Sequence, residues 1–241
     1  MIVLLTDFGV TDIYAGVMKG VIASVAPEVR VIDLSHGVPR HAIGVGALWL
    51  DAAWRYFPEG TVFCCVVDPR VGTARRAIAL RAEGRIFVGP DNGLFGLLPA
   101  GESREITAAW SLSPRSRTFH GRDVFAPVAA RLAAGARFED VGPIVLDFVA
   151  MPVPHAEGNA GEVLWADTFG NLVTSLAPRA HGSVGCAGRL ARVVETYGDA
   201  ESGSLVALTG SSGRLEISLV EGDAAALLGA GPGTVATWTP T

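Results

Sequence analysis

Residues 61–67 have the sequence TVFCCVV, an uninterrupted apolar run rich in β-branched side chains. Such a run predicts a strand buried on both faces, as in the centre of a parallel sheet. Two more strand-like runs precede it, at residues 2–5 and 29–34, with helical patterns between them at residues 12–26 and 43–56. Because strands and helices alternate, the sequence predicts an α/β domain with a mainly parallel sheet.

The pattern continues on the other side of the central run. Residues 77–81 and 86–88 flank Glu83-Gly84, which predicts a hairpin. Residues 124–134 are rich in alanine and predict a helix. The segment 151–161 holds two prolines and two glycines, which indicates a linker.

A second set of short strand-like runs follows this linker, separated by turn residues at the spacing of a small β-barrel or sandwich. These runs are Gly161–Ala166, Leu172–Ser175, Arg189–Glu195, Ser204–Leu208, Arg214–Val220 and Thr234–Trp238. We therefore predict an α/β domain at residues 1–154 and a smaller, all-β domain at residues 160–241.

Composition and charge exclude several classes of partner. The formal net charge is −5 and the chain has no basic block, which argues against nucleic acid or an anionic membrane surface as a partner. No apolar stretch reaches the roughly 18 residues of a membrane span. The start of the chain meets Asp7 at once and predicts a first strand instead of a signal peptide. Three cysteines form no disulfide framework, so we expect a reducing cytoplasm.

Acidic, amide and histidine side chains collect after the predicted strands of the first domain. They are Asp7, Asp12, Asp33, His36, Asp68, Asp91 and Asn92. Each one alone is typical of a loop cap or an Asx turn. Together they predict a ligand crevice, because ligands of open α/β sheets bind beyond the carboxyl ends of the strands.

Three further segments carry polar groups. Residues 118–123 place His120 beside Gly121, where the backbone can approach a ligand closely. The adjacent Arg122-Asp123 predicts a structural ion pair or cap. In the second domain, residues 167–171 and 210–213 are typical of turns.

The residues alone leave two kinds of site open. Asp7, Asp12, Asp68 and His120 are suitable ligands for a divalent metal, although no HxH or HExxH pair fixes two of them on one element. The alternative is a metal-free site, in which carboxylates bind ribose hydroxyls and an Asp–Arg–His group handles a nucleophile. No phosphate-binding loop is present, and the glycines at 9, 16 and 20 lack the GxGxxG spacing.

An ordered series of motifs resembles the S-adenosyl-L-methionine (SAM) hydroxide adenosyltransferase family, the adenosine-forming SAM hydrolases related to fluorinase and chlorinase. The resemblance spans nearly the whole chain. It rests on Thr6-Asp7-Phe8-Gly9, Asp12, Lys19-Gly20, Asp33-Leu34-Ser35-His36, Phe57-Pro58-Glu59-Gly60-Thr61, Val66-Val67-Asp68-Pro69, Gly72-Thr73, Arg75, Pro90-Asp91-Asn92-Gly93, residues 118–127, Asp167, Phe169-Gly170-Asn171 and Leu215-Glu216-Ile217.

The resemblance implies an N-terminal α/β domain, a C-terminal β-barrel and a homotrimer, with substrate between neighbouring subunits. It implies hydrolysis of SAM to adenosine and L-methionine without a metal or cofactor. The implied catalytic residues are Asp68, Arg75 and His120, and the implied binding residues are Asp7 for ribose, Asp12, Asp167 and Ser211 for the methionine moiety, Phe169 and Asn171 for adenine, and Glu216 nearby.

These residue types suit the reaction that the resemblance implies. The sulfonium of SAM is already a leaving group, so the task is to orient and activate a water opposite sulfur. His120 is the side chain whose pKa suits it to accept a proton near neutrality, while Arg75 favours hydroxide character in the water. By its spacing from Asp68, Arg75 is expected to face the site in preference to Arg76.

Two other functions compete with hydrolysis. Halogenases of this group carry Tyr at the position of Asp68, Ser at that of Gly121, and an insertion where this chain has the short 81–86 hairpin, so all three features favour water. A SAM- or nucleoside-binding module without turnover is the other, and a complete Asp–Arg–His set argues against it. Arg70 stands where relatives usually have Gly.

Overall fold

The apolar run at residues 61–67 forms β3 (Val62–Val66), which lies inside a seven-stranded sheet. The computed structural model of the chain describes residues 1–150 and 155–240. The chain divides into two units, Met1–Pro152 and Val153–Thr241. The linker was expected at residues 151–161, and its first four residues, 151–154, lie outside the described residues.

The first unit is built from a mixed sheet, three α-helices and short helical turns. Its strands are β1 (Ile2–Thr6), β2 (Val31–Ser35), β3, β4 (Ala77–Ala82), β5 (Arg85–Pro90), β6 (Glu102–Glu105) and β7 (Ile144–Val145). Its helices are α1 (Tyr14–Val25), α2 (Ile43–Ala53) and α3 (Ala126–Ala133). The strand order is β2-β1-β3-β5-β4-β6-β7. The first four strands in that order are parallel, and the remaining pairs are antiparallel.

Apolar residues cover both faces of this sheet, because successive side chains of a strand point to opposite faces. Cys64 packs in the core that contains residues of α1 and α3, whereas Cys65 packs with Leu50 of α2 and with Trp54. Burial raises the pKa of the Cys64 thiol to about 12, so it stays protonated. All three cysteines are free and buried, as the sequence indicated for Cys64 and Cys65.

The second unit contains a closed seven-stranded barrel. Its strands are β8 (Ala160–Ala166), β9 (Leu172–Thr174), β10 (Ser183–Cys186), β11 (Arg189–Val193), β12 (Leu205–Thr209), β13 (Leu215–Leu219) and β14 (Val235–Thr239), and it carries one short helix, α4 (Ala224–Leu228). The order around the barrel is β10-β11-β12-β13-β9-β8-β14. The predicted α/β domain followed by a β-barrel domain is confirmed. The first sheet is mixed instead of mainly parallel, because β4, β6 and β7 add three antiparallel pairs to the three parallel ones.

Several details differ from the sequence expectations. The sequence did not predict the short strands β6, β7 and β10 or the helix α4. Strand β6 has the sequence ESRE, which lacks the apolar pattern expected of a strand. Asp33 lies inside β2 instead of following it. The helix expected at residues 124–134 begins at Ala126, after a π-helical turn at Gly121–Phe125. In the described parts of the chain, no helix is both long enough and apolar enough to cross a membrane.

Candidate active site

Parallel pairing brings the ends of β1, β3 and β5 to the same edge of the sheet. Asp7 directly follows β1, and Asp68 lies two residues after β3. Strand β4 runs antiparallel to β5, so its beginning lies at the same edge. Arg75 and Arg76 immediately precede β4. They therefore reach the crevice at the beginning of a strand, whereas Asp7 and Asp68 reach it after the end of one.

Asp68, Arg75 and His120 form one connected group at this edge. Arg75 Nε donates to both Asp68 carboxylate oxygens at 3.0 Å, and Arg75 Nη2 donates to Asp68 Oδ2 as well. Arg75 Nη2 also lies 2.8 Å from His120 Nδ1. The Asp68 and Arg75 side chains are only 4% and 5% exposed, so the ion pair is buried. Residues far apart in the sequence thus form a fixed triad.

The backbone around Asp68 is anchored from two sides. Asn92 donates from Nδ2 to the carbonyl oxygen of Val67 at 2.8 Å, which fixes the chain just before Asp68. Gly72 adopts a φ of +79°, and a Cβ there would lie 2.3 Å from the carbonyl oxygen of Arg117. Only glycine permits this backbone conformation and this close approach. The loop that carries Asp68 is therefore held in place before any ligand binds.

His120 comes from the start of the π-helical turn. The N–H of Ala126 bonds to the carbonyl of Gly121, five residues back, and such turns are frequent at functional sites. Asp123 is buried within the turn and accepts from Arg122 Nε at 2.6 Å and from the backbone N–H of Ser116 at 2.7 Å. The Arg122 hydrogen bond lowers the pKa of Asp123. The predicted structural ion pair is confirmed, and it holds the turn that presents His120.

A cavity of about 360 Å³ opens beside the triad. Asp68 and His120 line it, together with the aromatic rings of Phe8, Tyr14 and Phe119. The three rings contact one another, with centroids 5.1 to 6.0 Å apart. Phe8 and Phe119 lie within the motifs quoted above, but a role as cavity wall was not predicted for them or for Tyr14, because isolated aromatic side chains carry no spacing signal. The three rings give the cavity an apolar wall in addition to its polar lining.

The other polar residues at the sheet edge have different surroundings. Asp7 accepts from the backbone N–H of His41 at 2.9 Å and is not among the residues that line the 360 Å³ cavity. Asp12 is exposed in the loop before α1. Asp33 binds Lys19, and Asp91 accepts from Arg76 and from the backbone of Val149. Hydrogen bonds also hold His36 and Asn92, to Thr6 and Val67 respectively.

All five of the binding residues expected in the second domain line one cavity of about 420 Å³: Asp167, Phe169, Asn171, Ser211 and Glu216. Asp167 Oδ1 accepts from the backbone N–H groups of Phe169 and Asn171, and its Oδ2 accepts from Asn171 Nδ2. This is the turn that the sequence indicated. Phe169 is 76% exposed, so an aromatic face is left uncovered within this unit.

Glu216 is a buried carboxyl group in this cavity. It accepts a hydrogen bond from the Tyr197 hydroxyl at 2.6 Å. Burial and the nearby charge of Asp167 raise the pKa of Glu216, although the Tyr197 hydrogen bond acts in the opposite direction. Tyr197 lies in a short 3-10 turn and was missed by the sequence analysis, because it belongs to no recognisable motif.

We expect Glu216 to make the stability of the protein depend on pH. Its pKa is raised on folding, so its stabilising contribution is complete below the unfolded value and is lost as pH rises through the folded value. Relative to Glu216→Gln, the wild-type free energy of unfolding falls by at most about 1.4 kcal/mol per pH unit in that interval. Urea denaturation of both proteins between about pH 4 and pH 8 measures it. Glu195→Gln, an exposed group lining the same cavity, serves as the control, and an identical trend in all three proteins would contradict the assignment.

No cluster of three or more His, Cys, Asp or Glu side chains within residues 1–150 and 155–240 is arranged to hold a metal ion.

Two family models match the chain: the SAM hydroxide adenosyltransferase N-terminal domain over residues 2–142 and the corresponding C-terminal domain over residues 161–237. The chain belongs to the SAM hydroxide adenosyltransferase family.

Three proteins illustrate what the chain is similar to. The chain is 44% identical to an (R)-S-adenosyl-L-methionine hydrolase from Thermus thermophilus, covering 93% of this chain and 94% of that one. A fluorinase from Actinoplanes is 30% identical over 73% of this chain and 71% of its own. A crystal structure of a conserved protein from Thermotoga maritima superposes with a TM-score of 0.91 and 35% identity, covering 99% of this chain and 100% of that chain.

Proposed function

We infer that this protein hydrolyses SAM to adenosine and L-methionine by attack of a water on carbon 5′. The observation that carries this inference is the buried Asp68–Arg75–His120 group beside an open cavity. The 44% identity to the Thermus thermophilus hydrolase supports it and indicates the (R) configuration at the sulfonium sulfur. The protein is therefore an enzyme.

The chemistry explains why this group suits the reaction. The C5′–S bond breaks toward an uncharged thioether, so positive charge leaves sulfur and develops on the attacking water oxygen. A carboxylate beside that oxygen stabilises the developing charge, and a fixed water position opposite sulfur supplies the in-line geometry. The water must lose one proton, and the Asp68 carboxylate and the His120 imidazole are the two groups of the triad that can accept it.

The remaining residues are assigned to binding. Asp7 has one carboxylate oxygen fixed by the N–H of His41, and no protein group within residues 1–150 is bonded to the other oxygen, which suits ribose hydroxyls. Among the residues that line the 420 Å³ cavity of the second unit, we assign Asn171 and the exposed Phe169 to adenine, Asp167 and Ser211 to the methionine moiety, and Glu216 to the surroundings of these groups. We assign Asp12 to the methionine moiety.

Halide transfer is the less favourable function. The buried carboxylate of Asp68 repels an anionic nucleophile at the position where the water would bind. A Cβ at Gly121 would lie 3.1 Å from Met18 Sδ and 3.3 Å from the Phe8 ring, so a serine there would require these side chains to shift by a few tenths of an ångström. The lower identity to fluorinase, 30%, agrees with this preference.

The proposed reaction is tested by product analysis. We expect (R)-SAM to give stoichiometric adenosine and methionine, with equal rates with and without EDTA, because the sulfonium leaving group needs no Lewis acid. The products formed from each sulfonium epimer are measured by chromatography. Reactions are run with and without about 100 mM chloride as a competing nucleophile, a concentration near physiological ionic strength. Accumulation of 5′-chloro-5′-deoxyadenosine would indicate a halogenase, and activity lost in EDTA and restored by a divalent ion would reject a metal-free reaction.

We propose that the active enzyme is a homotrimer in the cytoplasm, with each site completed by the second unit of a neighbouring subunit. The triad belongs to the first unit, and the five expected binding residues of the second unit share a cavity of their own. Three free, buried cysteines are compatible with a reducing compartment.

Mixing two inactive variants tests this arrangement. Asp68→Asn removes the proposed catalytic carboxylate, and Asn171→Ala alters the proposed adenine site on the other unit. If each site uses two subunits, random mixed trimers are expected to recover about a quarter of wild-type activity. Half of the first units and half of the second units are then unmodified, so about a quarter of the sites combine two unmodified parts. Co-expression followed by activity assay and analytical ultracentrifugation gives the result. A fully active monomer, or no recovery in mixed trimers, would contradict the proposal.

A further inference from the structure

The contact between Arg75 and His120 determines which imidazole nitrogen carries a proton. Arg75 Nη2 and His120 Nδ1 are 2.8 Å apart. A guanidinium remains protonated at all accessible pH values and has only donors, so Nη2 must donate and Nδ1 must accept. A neutral imidazole has one N–H, which therefore resides on Nε2.

The charged groups around His120 favour this neutral form. Burial, Arg75 and Arg115 lower the pKa of His120, and Asp68 and Asp123 act in the opposite direction. An imidazolium would place an N–H at Nδ1 directly against the N–H of Arg75, with two donors in contact. Protonation of His120 thus requires the Arg75–His120 hydrogen bond to break.

Asp68 retains the acceptor capacity that His120 lacks. Within residues 1–150, Asp68 Oδ1 accepts only from Arg75 Nε, whereas Oδ2 accepts from Nε and Nη2. An ionised carboxylate offers about four lone-pair directions, so Oδ1 keeps room for a water proton. His120 Nε2 has no hydrogen-bond partner in the same described segment, and His120 lines the 360 Å³ cavity.

We propose that His120 is a hydrogen-bond donor that orients the attacking water through Nε2–H, and that Asp68 is the group that accepts the water proton. This rests on the proposed function. The oxygen–C5′ bond forms as the C5′–S bond breaks, and the bonding pair stays on sulfur as the methionine thioether. One water proton moves to Asp68 and is later released to solvent.

This assignment keeps the net charge of the site constant. Before the reaction, the sulfonium carries one positive charge and the Asp68–Arg75 pair is neutral. After it, sulfur is neutral and the protonated Asp68 leaves Arg75 as the positive charge. The role differs from the general base expected from the sequence, because a histidine sequence position does not reveal which ring nitrogen is occupied.

The tautomer can be measured without any assay. Ring ¹⁵N chemical shifts of labelled histidine, with the His120 signals assigned by their loss in His120→Gln, distinguish a protonated from an unprotonated nitrogen. We expect Nδ1 to be unprotonated and Nε2 protonated in the free enzyme at neutral pH. A protonated Nδ1 would overturn the proposal, whatever the activity. If His120→Gln fails to fold, single substitutions of the other four histidines assign the His120 signals by elimination, so the wild-type measurement remains decisive.

Kinetics of matched variants test the role of the donor. Gln at position 120 keeps an N–H donor and an oxygen that can accept from Arg75, whereas Ala keeps neither. We expect His120→Gln to retain at least about a tenth of wild-type kcat and His120→Ala to lose about 10²-fold. A general base would make both variants lose roughly 10²–10⁴-fold, and the acid limb of the wild-type pH profile would follow the titration of His120.

Controls separate this proposal from the proposed function. His181→Gln, an exposed histidine of the second unit, is expected to have wild-type kinetics. Equal, large losses in folded His120→Gln and His120→Ala would overturn the donor role. A wild-type enzyme that releases no adenosine from either SAM epimer would reject the proposed function instead, while the NMR result would still decide the tautomer.

Discussion

Asp68→Asn is expected to lower kcat by about 10³-fold while changing SAM affinity little. Asparagine preserves the shape of the side chain but accepts no proton from water and carries no charge to stabilise the oxygen as it becomes positive. The substitution also leaves Arg75 buried and unpaired. Since both side chains of this pair are at most 5% exposed, we also expect a loss of stability of about 3 kcal/mol. Single-turnover rates and calorimetric SAM binding separate the chemical step from affinity.

Asp147→Asn provides the matched control for this experiment. Asp147 also pairs with an arginine, Arg76, at 2.7 Å, but its side chain is 82% exposed. Solvent screens such a pair, so this second acid-to-amide change is expected to leave both kcat and stability close to wild type. Near wild-type single-turnover rates in a folded Asp68→Asn enzyme would show that Asp68 is not the proton acceptor.

Asp7→Ala is expected to raise KM by about 10²-fold with a smaller change in kcat, because a carboxylate that binds ribose hydroxyls contributes charge-assisted hydrogen bonds in both the ground and the transition state. The structure prepares Asp7 for this role: the N–H of His41, a residue with a φ of 64°, already holds one carboxylate oxygen. Some loss of kcat is expected too, since a loosened ribose disturbs the in-line angle.

Asp140→Ala is the control for Asp7→Ala. Asp140 is an exposed aspartate whose carboxylate lies 3.9 Å from Arg137, at the margin of an ion pair, and we expect its loss to change neither constant. Steady-state kinetics together with calorimetry decide the case. An Asp7→Ala enzyme that binds SAM as tightly as wild type would remove Asp7 from the ribose site.

The sequence predicted the elements that carry the site better than the elements that complete the sheet. The apolar run at residues 61–67 predicted a buried strand. The rule that ligands bind beyond the carboxyl ends of parallel strands predicted that Asp7 and Asp68 lie at one edge of the sheet. Strand β6, ESRE, and the two-residue strand β7 carry no apolar pattern, so pairing with neighbours alone defines them. Asp33 was expected to follow a strand, yet it lies within β2 and pairs with Lys19, because boundaries follow hydrogen bonding that composition does not report.

Within the candidate site, the sequence indicated which residues lie together better than it indicated their surroundings. Spacing favoured Arg75 over Arg76, and the structure places Arg75 against Asp68 and Arg76 against Asp91 and Asp147. The hydrogen bond from Tyr197 to Glu216 and the contacts among the rings of the cavity wall were not predictable from the sequence. Contacts of this kind depend on three-dimensional packing between segments with no common motif.

Asp68 and Arg75 reach the site from opposite chain directions, and this has a consequence for redesigning the enzyme. Asp68 is positioned from the end of β3 and Arg75 from the beginning of β4, and the ladders through β5 fix both strands. The intervening loop, residues 69–74, therefore joins two independently anchored points. Its length and its outward side chains, Arg70 included, are the natural variables for a library of altered substrate scope, provided that Gly72 is kept.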